Sequence, residues 1–228
     1  MNKKIIVALD GNNFSKIKKI ALSLKNEVYA YKVGYEFFFN FGIDGYKKIK
    51  EIYPKIFLDL KLHDIPNTVE QGIKALEKLK PVFTTIHISG GDKMNKFSVK
   101  KTSRKTKILG VSILTSLDSN QTKKYYNEKN VQLLVKKLVK YAKKNGLDGI
   151  VCSPLEIKTI RKEIGKRMII VVPGIRPINY SKKNDDQKRT LTPIEAIEMG
   201  ADYLVIGRPI TSSKNPLKTI KEINKSIQ

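Results

Sequence analysis

Eight apolar runs, at residues 4–9, 28–33, 56–60, 83–88, 108–114, 149–152, 168–172 and 203–206, recur along the chain. Each is apolar throughout rather than alternating, which is the pattern of parallel strands covered on both faces. Between them lie amphipathic stretches at 14–25, 35–52, 68–79, 131–145, 154–164, 193–199 and 217–226. In 131–145, Leu134, Leu138 and Tyr141 form one stripe with lysines opposite, as a helix lying on a core requires. Residues 90–107 show no such pattern and read as a non-helical connection. Strands alternating with helices, with no composition shift to mark a linker, predict an α/β chain: a single (β/α)8 TIM barrel forming one domain over residues 1–228. A doubly wound open sheet is the runner-up, but no Gly-x-Gly-x-x-Gly follows the first run.

In such a barrel, chemistry gathers where strands end and loops begin. The third run continues as Leu58-Asp59-Leu60-Lys61-Leu62-His63-Asp64-Ile65-Pro66-Asn67-Thr68. Asp59 and Lys61, at i and i+2, fall on the same face of a regular strand. Pro66 ends the ladder, and Asn67 or Thr68 is placed to cap the next helix. Asp64 lies between, where the chain turns out. A structural ion pair is one reading of these charges. Catalysis is the other, and it gains weight because ions inside an apolar segment carry a desolvation cost.

Other strand ends are also polar: Asp10, Lys32, His87, Thr115 with Ser116, Pro173-Gly174-Ile175-Arg176-Pro177, and Gly207-Arg208. Barrels often hold a phosphate with the loops after strands seven and eight. There Gly207 lets the backbone approach an anion, and Arg208 offers a fork of donors. The connection 174–191 is long for its place and reads as a lid or as a solvated surface loop. Its Lys182, Lys183, Gln187, Lys188 and Arg189 suit closure over a phosphate.

With 45 Lys and Arg against 21 Asp and Glu, the chain carries a net charge of +24. That field attracts phosphates and would favour nonspecific nucleic-acid binding. The lysines are spread along nearly every amphipathic stretch, however, as at Lys136, Lys137, Lys140, Lys143 and Lys144. A nucleic-acid module would more often concentrate them with interleaved aromatics, so solvated helix faces and no nucleic-acid partner are expected. Cys152, the only cysteine, excludes an intramolecular disulfide and sits in an apolar run as a core residue. With only His63 and His87 beside it, no metal site is expected. The sequence lacks both a run of about 18 apolar residues and the apolar core of a signal peptide, so no membrane span and a cytoplasmic location are expected.

The stretch from Asp59 to Thr68 resembles the signature of the orotidine 5′-phosphate decarboxylase family. Val7-Ala8-Leu9-Asp10, Tyr31-Lys32-Val33-Gly34, Leu114-Thr115-Ser116, Pro173-Gly174-Ile175-Arg176-Pro177 and Ile206-Gly207-Arg208-Pro209 match in the family's order. The resemblance implies a homodimeric barrel, without cofactor, that converts orotidine 5′-monophosphate to UMP and CO₂, the last step of de novo pyrimidine synthesis. It implies Lys61 as proton donor to C6, with Lys32, Asp59 and the partner subunit's Asp64 completing an alternating charged array. Asp10 and Lys32 would meet the ribose, with Thr68 joining from the partner, and Ile65 would also bind the substrate. Thr115 and Pro173 would flank the base, and Arg176, Gln187, Gly207 and Arg208 would hold the phosphate. Asp-x-Lys-x-x-Asp is shared with magnesium-dependent sugar-phosphate decarboxylases and synthases of the same superfamily, which stand as the alternative.

Overall fold

The computed structural model describes residues 3–100, 105–177, 180 and 190–228. Eight strands form in chain order: β1 Ile5–Ala8, β2 Ala30–Val33, β3 Ile56–Leu62, β4 Phe83–His87, β5 Lys107–Val111, β6 Gly149–Val151, β7 Ile169–Val172 and β8 Tyr203–Ile206. Each pairs in parallel with the next, and β8 pairs with β1 through Val205 and Ile6, closing the barrel. That closing pair excludes the open sheet.

The wholly apolar runs follow from two cores. Ile6, Ala8, Ala30, Phe57, Phe83, Leu109, Val111, Val151, Val171 and Val205 fill the barrel interior. The alternate residues, among them Ile5, Val7, Leu58, Ile86 and Ile108, pack outward under the helices. Fully burying a side chain of this size contributes about 1.5–3 kcal/mol. Where the strands begin, the Tyr29 ring lies 4.1 Å from Tyr203 and 5.8 Å from Phe83, making an apolar floor. One step of two further along the same inward parity come Asp10, Lys32, Asp59 and Thr85. The polar layer thus sits at the carboxyl ends of the strands because inward positions recur every second residue.

Ten helices surround the barrel among the described residues: α1 Phe14–Leu24, α2 Tyr35–Ile52, α3 Pro66–Glu77, α4 Gly91–Lys100, α5 Ser119–Tyr126, α6 Val131–Lys144, α7 Ile157–Ile164, α8 Pro193–Glu198, α9 Arg208–Thr211 and α10 Pro216–Ser226. Four expectations change. The connection 90–107 contains α4, whose buried face includes Asn95 and Ser98. Asn95 donates to the Ile88 carbonyl at 3.0 Å and Ser98 to the Met94 carbonyl at 2.8 Å, so polar residues occupy core positions and break the apolar stripe. On α6 the buried face is Leu134, Val135, Leu138, Val139 and Ala142, leaving Tyr141 at its rim, 51% exposed. Neither Asn67 nor Thr68 caps α3, because Pro66 is itself its first residue and Ile65 the cap position. Finally, β5 stops at Val111, short of the expected 114.

The lysines of α6, from Lys136 to Lys144, are exposed as anticipated, and Cys152 is buried. Among the described residues, no helix is long and apolar enough to cross a membrane.

Candidate active site

Asp59 is the buried centre of the polar layer. Its side chain is 8% exposed, and its Oδ2 lies 2.9 Å from Lys61 Nζ and 3.8 Å from Lys32 Nζ. Its Oδ1 accepts a hydrogen bond from Thr85 Oγ1 at 2.8 Å. Burial pushes the Asp59 carboxyl up, but Lys32 and Lys61, with hydrogen bonds from Lys61 and Thr85, more than offset it and hold the group below its ordinary value. Lys32 also reaches Asp10 Oδ1 at 3.5 Å. The order Asp10, Lys32, Asp59, Lys61 therefore alternates in sign across three adjacent strands.

Asp59 and Lys61 do meet, but not by simple strand alternation. Leu58 is opposite Thr84 and Leu62 opposite Ile86, so four steps along β3 match two along β4. Within this bulge Lys61 adopts φ 42°, a left-handed conformation unusual for a side chain of its length. Bulges of this kind re-aim a side chain, and here the ammonium returns onto the carboxylate two residues before it.

Two hollows flank this array. One, of about 540 Å³, is lined by Asp10, Lys32, Pro173, Arg176, Gly207 and Arg208, together with Lys16 of α1 and its cap residue Asn13. The sequence-named residues of strands one, two, seven and eight therefore converge. Arg208 opens α9 directly after β8, and Gly207 supplies its cap position. Gly174 takes φ 77°, turning the chain after Pro173. The ends of the long connection are drawn together where Arg176 N–H donates to the Leu191 carbonyl at 2.9 Å. Gln187, with Lys182, Lys183, Lys188 and Arg189, lies outside the described residues.

The second hollow, of about 420 Å³, is lined by Lys61, Asp64 and Thr68 with Tyr35, His63 and His87. Asp64 and Thr68 are exposed, and Ile65 is 66% exposed. Asp64 Oδ1 accepts the Ile65 N–H at 2.6 Å, and among the described residues Asp64 makes no ion pair with Lys61. His63 and His87 stack with ring centroids 5.1 Å apart. Burial, with help from His63 and Lys61 and against Asp59, pushes the His87 imidazole down to about 4. Thr115 is half-buried in the turn after β5 and lines neither hollow.

Three residues of the site were not singled out from sequence. Thr85 reads as an ordinary β-branched strand residue. The Tyr35 hydroxyl donates to the Leu60 carbonyl at 2.9 Å, inside the bulge. At Gly34 an added Cβ would stand 3.1 Å from Lys32 Nζ, so glycine keeps the space that the ammonium occupies. Only Gly34 left a trace, as the residue ending Tyr31-Lys32-Val33-Gly34.

A closed parallel barrel with carboxylates and lysines alternating around a buried Asp59 at its carboxyl face, beside a hollow carrying two arginines, defines a (β/α)8-barrel enzyme. A profile of the Orotidine 5′-phosphate decarboxylase / HUMPS family matches residues 3–223. The chain is 43% identical over 224 residues to orotidine 5′-phosphate decarboxylase of Wolbachia pipientis subsp. Culex pipiens, covering 98% of each. It is 43% identical over 238 residues to that of Lactobacillus acidophilus, covering 99% of each. The crystal structure of orotidine 5′-phosphate decarboxylase from Lactobacillus acidophilus matches with TM-score 0.84 and 39% identity over 100% of both chains. This chain belongs to the orotidine 5′-phosphate decarboxylase / HUMPS family.

Proposed function

We propose that the chain, as one catalytic domain, converts orotidine 5′-monophosphate to UMP and CO₂ without a cofactor, as the last step of de novo UMP synthesis. The observation that carries this is the buried Asp59 carboxylate held between Lys61 at 2.9 Å and Lys32 at 3.8 Å, next to the arginine-bearing hollow. In this reading the C6–carboxylate bond breaks heterolytically and its electron pair stays on C6. That pair lies in the ring plane, where the ring π system cannot delocalise it. Fixed charge must stabilise it instead, and Lys61 Nζ supplies a cation and then the proton. Unit charges about 4 Å apart interact by roughly 4 kcal/mol at an effective dielectric near 20. Asp59 keeps Lys61 charged and aimed, while Asp10 and Lys32 meet the ribose.

Arg176, Arg208 and Gly207, with Gln187, hold the phosphate far from the reacting carbon, so its binding energy serves to assemble the site. Pro173, which lines the larger hollow, flanks the base, whereas Thr115 lies outside both hollows. The exposure of Asp64, Ile65 and Thr68 supports a homodimer in which the partner subunit's Asp64 completes the charged array and the partner's Thr68 reaches the ribose. An isologous interface would repeat this in both directions.

The test is the loss of orotidine 5′-monophosphate absorbance with purified, EDTA-treated protein, with UMP identified as product. Conversion under those conditions is the expected result. No conversion, or conversion only after magnesium is restored, overturns the reading, and the second outcome favours a metal-dependent sugar-phosphate decarboxylase or synthase.

A further inference from the structure

The bulge in β3 removes Lys61 from the regular ladder with β4, so its N–H needs another acceptor. Thr85 provides one: Lys61 N–H donates to Thr85 Oγ1 at 2.8 Å. The same hydroxyl donates to Asp59 Oδ1, also at 2.8 Å. A threonine hydroxyl has one proton and two lone pairs, so it can make both bonds at once. Thr85 is fully buried and its bond to Asp59 lies in the interior, shielded from water. One side chain thus ties the left-handed backbone of Lys61 to the carboxylate that Lys61's own ammonium grips from the other oxygen.

We propose that Thr85 is a positioning residue, whose hydroxyl holds the Lys61 backbone and the Asp59 carboxylate in one register so that Lys61 Nζ is aimed at the reacting carbon. This rests on the decarboxylase reading above and deepens it. With Oδ1 engaged by Thr85, Oδ2 is the oxygen turned to both lysines. Without that bond the carboxylate is held through Oδ2 alone, and the bulge loses the side-chain brace that Thr85 supplies from β4. Shape alone would not require threonine, since valine has the same branched outline. The hydroxyl is the part with a function.

The test compares Thr85→Val, Thr85→Ala and Thr85→Ser. Losing a buried hydrogen-bond partner corresponds to a kcat roughly 10- to 100-fold lower in Thr85→Val, with KM and UMP affinity changed by less than about threefold. Thr85→Ser, which keeps the hydroxyl, should stay within about threefold of wild type in kcat. Thr85→Ala gives a second hydroxyl-free enzyme in case the valine variant does not fold, and it should lose kcat in the same way. Wild-type kcat in either hydroxyl-free variant overturns the proposal. So does an equal loss in Thr85→Ser, or a parallel loss of kcat and UMP affinity, either of which marks general disruption. A wild-type protein that leaves orotidine 5′-monophosphate intact would instead defeat the decarboxylase reading, a result separate from these.

Discussion

Lys32 Nζ stands 3.5 Å from Asp10 and 3.8 Å from Asp59, so one ammonium on β2 serves an exposed carboxylate on one side and a buried one on the other. Against burial, the charge of Lys32, then the charge and hydrogen bond of Lys61 and the hydrogen bond of Thr85, hold the Asp59 carboxyl low. Lys61, Thr85 and His87 are the other groups that face it.

Replacing Lys32 by methionine should therefore raise the Asp59 pKa, because the burial cost remains and half the compensating charge is gone. If ionised Asp59 is needed for turnover, the acid limb of the kcat/KM profile moves to higher pH. Activity at neutral pH should fall by roughly tenfold or more, in line with the loss of one close charge pair. A pH series of initial rates on both proteins checks this. An unmoved acid limb would separate Lys32 from Asp59.

Arg208 follows β8 directly and lines the larger hollow with Arg176 and Gly207. A charge-assisted contact to phosphate is worth about 1.5–3 kcal/mol, so Arg208→Ala should weaken UMP binding roughly 10- to 100-fold. Orotidine without its phosphate should be affected little. Calorimetry with UMP, and slow turnover of the nucleoside, measure the two effects. An equal loss on both would make Arg208 structural.

His87 gives a pH dependence of stability. Its imidazole is pushed down to about 4 in the folded chain, against an unfolded value near 6.5. Between those values the unfolded chain binds the extra proton and the folded chain does not, so unfolding is favoured as pH falls. Tm should thus decline from pH 6.5 toward 4, and His87→Phe should flatten that slope. Asp59 acts in a different window: its lowered carboxyl contributes above its unfolded value near 3.9 and is lost only as pH falls through its folded value. Thermal melts at several pH values, on wild type and His87→Phe, decide it. Equal slopes would mean that other groups set the decline.

Much of this was legible in the sequence, and the exceptions have physical causes. Parallel strands with a core on each side must be apolar throughout, so the eight runs announced the barrel. Inward parity then placed Asp10, Lys32 and Asp59 at its mouth. The pairing of Asp59 with Lys61 was anticipated from strand alternation but is made by a bulge, since nothing in Leu60-Lys61-Leu62 signals a left-handed φ. Helix α4 escaped because the Asn95 amide and the Ser98 hydroxyl donate to nearby carbonyls, which lets both residues occupy core positions. Thr85 escaped because its hydroxyl acquires meaning only once β3 and β4 are paired. The expectations for Gln187 and its neighbouring lysines fall outside the described residues.

Asp64 gives the test of a shared site. It follows β3 where Pro66 starts α3, it is exposed, and within one chain Lys61 pairs with Asp59 instead. Lys61→Ala alone should lower turnover by orders of magnitude, because the fixed cation and the proton both go, while UMP still binds through the untouched phosphate residues. Asp64→Ala alone should be similarly impaired. When the two variants are co-expressed and subunits mix at random, about half the dimers are hybrids. If Asp64 acts across the interface, each hybrid holds one site with both defects and one intact site, and activity recovers to roughly a quarter of wild type. If Asp64 serves its own chain, no combination rebuilds an intact site. Differently tagged subunits purified through both tags isolate the hybrids, in which half the sites should then be active. Hybrids confirmed in this way yet inactive would rule out the shared site.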